Sequence, residues 1–232
     1  MKKIAIFVEG LTEQELVKKI IEFHCIQNGY TLELQRQFGG QLHHVSTQSI
    51  LANNKATHYI LIVNCCTDNQ VKSQINQQYN SLQSAGYTHI IGLRDIYPNT
   101  HADIQKITSL LNYGISTQNV PVDIVLSILE TETWFIGELT HFTRLTPSID
   151  VNYVKKYLTS IGIDLDKGDL ENIQHPADTL DAIYKSVGLA YNKSKITLSL
   201  TIGALCLNNF NSSTRVQSQS LDKLLTVIET AL

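Results

Sequence analysis

Few cysteines, no long apolar run and no excess of positive charge: each scarcity in this chain of 232 residues removes a class of protein. The cysteines, Cys25, Cys65, Cys66 and Cys206, follow no zinc-binding spacing, and the adjacent pair Cys65-Cys66 cannot form an ordinary unstrained disulfide with itself. Reduced, mostly buried thiols in a cytoplasmic protein are the expectation. No apolar segment approaches the ~20 residues that cross a bilayer, so no membrane role is expected. The opening MKKIAIFVEG places two lysines before an apolar run, as a secretory leader does. The run is short, includes Glu9 and has no small-residue cleavage site after it, so it reads as a first strand. The formal net charge is -3, and no global basic field draws the chain to nucleic acid. A nucleic-acid role would need a local patch or a bridging metal. No GxxxxGK[ST] phosphate loop, no DxDxT nucleophile motif and no dinucleotide glycine fingerprint occurs, which argues against P-loop ATPases, haloacid-dehalogenase phosphatases and nicotinamide enzymes.

What is present is a core and a pattern. Hydrophobic residues make up 43% of the chain, enough for one domain with an appendage or two small ones. Short continuous apolar runs, KKIAIFVE, HYILIVNCC, HIIGLRD and VPVDIVLSI, read as strands covered on both faces. YTLELQRQF alternates and reads as another strand, ended by Gly39-Gly40. Between them, the stretch from Thr12, NQVKSQINQQYNSLQSAG and ADIQKITSLLNYG have helical spacing, and HHVSTQSILANN is expected to be a short helix. Thr12 with Glu15 makes a capping-box signature, and Gly29 fits the stop. Strands alternating with helices predict an α/β fold, a mainly parallel sheet with helices on both faces. After LTPSIDVNY only helical segments follow, including a β-rich one at KITLSLTIGALC, and NNFNSSTRVQSQS reads as a polar loop. The expected division is residues 1–145 as the α/β domain and 146–232 as a C-terminal helical region packed on it.

In an open parallel sheet ligands bind outside the carboxyl ends of the strands. Acids stand there: Glu9 after the first strand, with Glu13 a helical turn later; Asp95 ending HIIGLRD; Glu130 and Glu132 after VDIVLSIL. They are expected to converge on one rim. Clustered carboxylates need a cation, and Mg²⁺ or Mn²⁺ suits oxygen ligands and can activate water on a phosphoryl centre. Gly10 lets backbone approach a ligand, and the helix near Thr12 offers free N–H groups to an anion. Each acid also has an ordinary reading, as a helix N-terminal or turn residue. Lys193 and Lys195, with Lys185 and Arg215, are the phosphate-contact candidates of the helical part, and Arg94 pairs with either the acids or phosphate. The histidines read as surface or loop residues, and Trp134 and Phe135 as core.

The segment IAIFVEGLTEQELV resembles the opening of a TOPRIM domain, the fold shared by topoisomerases, primases and OLD-type nucleases. In that family a glutamate follows the first strand and an Asp-x-Asp motif follows a later one. VEGLTE is closest to the OLD-type version, in which both glutamates matter, and IIGLRDIYP sits where Asp-x-Asp belongs. LSILETETWFIGE is similar to the E-x-E-x-Trp segment of small bacterial TOPRIM-like proteins catalogued only as a domain of unknown function. HPADTLDAIYKSVGLAYNKS is similar to their helical tail, so the resemblance spans nearly the whole chain. It implies a metal-dependent nuclease, with links to genome maintenance or phage defence. Glu9 would be a metal-linked acid or base, Asp95 a metal ligand, Glu13 a second ligand, and Glu130 and Glu132 supplements. One position departs: Tyr97, neutral near pH 7, stands where the second acid of Asp-x-Asp belongs. A catalytically degenerate binding or partner subunit, one that binds nucleotide, nucleic acid or a protein of its own operon, is the competing expectation. A phosphatase or nucleotide-handling enzyme on a similar scaffold is the third.

Overall fold

The computed structural model describes residues 1–168 and 170–232. The chain divides into two compact units, each discontinuous in sequence: Met1–Arg94 with Ala102–Leu126 and Leu224–Leu232, and Asp95–His101 with Ser127–Lys223.

The first unit is built on a six-stranded mixed sheet, mostly parallel. Its strands are β1 (Lys2–Val8), β2 (Tyr30–Phe38), β3 (Gln41–Ile50), β4 (His58–Asn64), β5 (His89–Asp95) and β6 (Val122–Ser127), in the order β3-β2-β4-β1-β5-β6. β1 lies between β4 and β5 and is parallel to both, with Val8 level with Asn64 and Leu93. That central place explains its composition: Ile4 to Val8 are all essentially out of water, as a strand covered on both faces demands. Helices α1 (Leu11–Cys25), α2 (Asp68–Ser84) and α3 (Ile104–Asn112) make the crossovers. Leu16, Val17, Ile20 and Ile21 of α1 are buried at helical spacing. Gly92 sits in β5 because a Cβ there would meet Ile75 Cδ1 at 3.0 Å. Gly29 combines φ +68° with 2.2 Å from its virtual Cβ to the Lys55 carbonyl, a place no side chain fits.

Two local expectations for this unit are corrected. HHVSTQSILANN is not a helix; its first eight residues, His43 to Ile50, belong to β3, antiparallel to β2. Gly39 and Gly40, at φ +58° and +79°, close a two-residue hairpin between Phe38 and Gln41, and the hairpin decides the pairing. Helix α1 begins at Leu11 with Gly10 at its cap and no side-chain cap bond; Thr12 is buried inside the first turn instead.

The second unit is helical: α4 (Glu132–Gly137), α5 (Thr140–Leu145), α6 (Val151–Ser160), α7 (Pro176–Lys185), α8 (Lys195–Ala204), α9 (Leu207–Asn209), α10 (Arg215–Gln217) and the start of α11 (Gln219–Ala231). Trp134, Phe135, Phe142, Leu170 and Phe210 are buried in it, and the Trp134 indole N–H donates to Ser220 Oγ at 3.0 Å. KITLSLTIGALC contributes α8, a helix as expected for the later chain despite its β-rich composition. NNFNSSTRVQSQS is not a loop: it carries α9, a π-type turn at Phe210–Thr214, and α10. Its polar side chains bond back to the preceding turn, Asn211 Nδ2 to the Leu207 carbonyl at 2.7 Å and Ser212 Oγ to the Asn208 carbonyl at 2.8 Å. Phe210 and Thr214 are the buried anchors.

Candidate functional site

The second unit gathers acids around one lysine. β6 runs out at Ser127, and the Ile96 and Tyr97 amides continue its pairing by donating to the carbonyls of Ser127 and Leu129 at 3.1 Å each. That ladder brings Asp95 beside Thr131, whose hydroxyl donates to Asp95 Oδ1 at 3.1 Å. Glu130 and Glu132 flank Thr131 in the chain. Lys193 Nζ donates to Glu130 Oε1 at 2.8 Å and lies 3.2 Å from Glu132 Oε1. The Tyr191 hydroxyl donates to Glu132 Oε1 at 2.6 Å, and the Ala177 amide, in the first turn of α7, donates to Glu130 Oε2 at 3.1 Å. Asp95 and Glu132 are buried, and Glu130 is half-buried.

The segment bearing Lys193 is held from both sides. The Tyr191 amide donates to Asp181 Oδ1 at 2.8 Å, and Ser194 caps α8 by accepting from the Thr197 amide. Between them Lys193 takes φ +54°, a left-handed backbone that a lysine rarely adopts. Partial burial by itself would lower the Lys193 pKa. The charge of Glu132, the bond and charge of Glu130, and the charge of Asp95 outweigh that and raise it above the ordinary lysine value. The ammonium is therefore charged at any physiological pH, while the side chain stays 42% exposed.

The other sequence-predicted residues fall as follows. In the first unit Glu9 and Gly10 follow β1, and Glu13 lies buried in the first turn of α1. A Cβ on Gly10 would sit 3.1 Å from Glu13 Oε2, so the glycine keeps room for that carboxylate. Arg94 is buried at the penultimate position of β5. At the end of β4, Asn64 Oδ1 accepts from the Cys66 amide at 2.9 Å. Lys195 is the exposed first residue of α8, outside the acid cluster. Thr131 and Tyr191, which orient the acids, were not singled out by sequence reasoning; the signal available was their place inside ETET and YNKS. Trp134 and Phe135 are core, as expected.

Mg²⁺ and Mn²⁺ fit these residues in ligand type, since all the acids are oxygen donors. They do not fit in arrangement. Glu130 and Glu132 close on the Lys193 ammonium, and among the described residues no group of three or more His, Cys, Asp or Glu side chains is disposed to hold a metal ion. The cation this cluster encloses is its own lysine. Comparison with protein-family models, with curated proteins and with solved structures returns no match.

Proposed function

We propose that the chain is a TOPRIM-like phosphoryl-transfer enzyme that acts on nucleic-acid phosphodiesters, with Lys193 as the fixed cation of its second-unit site. The observation that supports this reading is Lys193 itself. It is a charged residue in strained backbone, anchored on two acids yet open to solvent. Strain of about 1–3 kcal/mol at such a residue is retained where it serves a site.

Hydrolysis of a phosphodiester builds negative charge on the non-bridging oxygens, and a preorganised ammonium stabilises that charge. Asp95, held by the Thr131 hydroxyl, is the carboxylate that takes the proton of the attacking water. The water oxygen bonds to phosphorus, the ester P–O bond breaks, and the leaving oxygen takes a proton from solvent. Glu130 and Glu132 keep Lys193 charged and in place. Glu9 is the further acid that the resemblance names, and a role in genome maintenance or phage defence rests on that resemblance alone.

The test is cleavage of labelled single-stranded DNA, duplex DNA and RNA oligonucleotides, with and without Mg²⁺ or Mn²⁺, by the wild type and by Glu9→Ala, Asp95→Asn and Lys193→Met. Cleavage by the wild type that falls at least about 100-fold in Asp95→Asn and Lys193→Met supports the assignment. Full activity in both variants overturns it. A wild type that cleaves nothing points instead to a binding or partner subunit, the reading favoured by half-exposed Tyr97 at the second acid position of the motif.

A further inference from the structure

Among the described residues, five that are not glycine take a positive φ: Asn53, Asn54, Cys66, Leu129 and Lys193. Asparagine tolerates the left-handed region because its short polar side chain bonds locally; leucine and lysine have no such relief. Yet Leu129, at φ +65°, and Lys193, at φ +54°, stand on the two sides of one ion-pair cluster. Leu129 directly precedes Glu130, and Lys193 closes on Glu130 and Glu132.

The bonds around Leu129 show what its unusual backbone does. Its carbonyl accepts from the Tyr97 amide at 3.1 Å, the last rung of the ladder that extends β6. One residue later the Glu130 carbonyl accepts from the Thr133 amide at 3.1 Å, and the Thr131 carbonyl from the Trp134 amide at 3.0 Å, which starts α4. The chain passes from strand pairing to helical pairing at a single residue. Leu129 is only 3% exposed, so packing holds it there against the strain. We propose that Leu129 is a positioning residue of this site: its left-handed backbone makes the sharp turn that presents Glu130 and Glu132 to Lys193. Each end of the contact then has its own device. The turn at Leu129 aims the acids, and the turn at Lys193 aims the ammonium. An ordinary backbone at position 129 would send Glu130 elsewhere even with an apolar side chain still buried. What the ammonium serves rests on the phosphoryl-transfer reading; the geometry does not, so it is tested without substrate.

The experiment is competitive labelling with trace acetic anhydride at about pH 9, read by peptide mass spectrometry. Exposed Lys195, outside the cluster, is the internal reference. Only the uncharged amine reacts. The acids around Lys193 raise its pKa, and each unit is a tenfold loss of that form, so the wild type is expected to label Lys193 at least about 10-fold more slowly than Lys195. Leu129→Gly and Leu129→Val are compared with it, and circular dichroism checks their folding. Glycine adopts the left-handed region freely but removes the buried side chain; valine keeps an apolar side chain, but its branched Cβ disfavours that region. The expected result is protection of Lys193 kept in Leu129→Gly and lost in Leu129→Val. A side chain that merely packs would give the reverse order, and that order overturns the proposal. So do protection in both variants, loss in both, and a wild-type Lys193 as reactive as Lys195. Should either variant not fold, Leu129→Asn and Leu129→Thr replace the pair, asparagine tolerating the left-handed region and threonine not, and the same outcomes decide.

Discussion

Glu138 has its side chain wholly out of water and is answered from every side. It accepts from Arg144 Nη2 at 2.5 Å, the Thr140 hydroxyl at 2.6 Å, the Cys206 amide at 3.0 Å and Asn209 Nδ2 at 3.3 Å. A buried carboxylate so satisfied organises its surroundings, and its removal strands several donors. Glu138→Ala is expected to cost about 2–4 kcal/mol, a drop in melting temperature of roughly 5–15 °C, read by thermal circular dichroism. A change within about 0.5 kcal/mol would show that the network contributes nothing. The thiols make a second residue-scale prediction. Burial pushes Cys25 up to about 11, and burial, then the neighbouring Cys66, pushes Cys65 up to about 12. Both stay protonated thiols in the folded chain at pH 9–10, where an unfolded cysteine ionises. Their contribution to stability is therefore intact below about pH 8.5 and is lost as pH rises toward 11–12. A native-state thiol titration at pH 8 is expected to label Cys66 and Cys206 readily and Cys25 and Cys65 only on unfolding. Lys193 behaves in the same sense. Its folded pKa is raised, so the stability from its pairing holds below the unfolded lysine value of about 10.4 and disappears only at higher pH.

At the scale of elements, caps and close contacts decide more than propensity. KITLSLTIGA is rich in β-branched residues yet forms α8, because Ser194 accepts from the Thr197 amide and Leu198, Thr201 and Ile202 find buried places. Ser194→Ala is expected to cost about 1 kcal/mol in urea unfolding. Because it loosens the helix beside Lys193, it is also expected to weaken any activity that depends on that lysine. Gly137 ends α4 where a Cβ would lie 2.6 Å from Leu170 Cδ2 and 2.9 Å from Thr214 Cγ2, so Gly137→Ala overpacks that contact by about 1–3 kcal/mol. Most strands and long helices were legible, because runs such as IAIFV and the 3.6-residue spacing of α1 leave little choice. HHVSTQSI was not. Its polar residues carry no period that points inward, and only pairing with β2 across the Gly39-Gly40 turn makes it a strand.

For the molecule as a whole, charge sets the limits. With 18 basic against 21 acidic residues there is no long-range attraction to a polyanion. Binding of random duplex DNA is expected to be undetectable by fluorescence anisotropy at about 150 mM salt without divalent cation, where screening acts within roughly 8 Å. Tight binding under those conditions that weakens steeply with added salt would mean that the net charge conceals a basic surface. No helix among the described residues is long and apolar enough to cross a membrane.

The sequence by itself determined the α/β pattern, the acids that follow β1, β5 and β6, and the helical character of the later chain. Each depends on local spacing and burial, which a short window records. The tertiary structure alone decided that Lys193 sits on Glu130 and Glu132, 63 and 61 positions away in the sequence, and that Thr131 and Tyr191 orient the acids. It alone showed that β3 is a strand left open to water. Such facts depend on which distant segments meet, and no pattern of nearest neighbours encodes a meeting that only the packed core brings about.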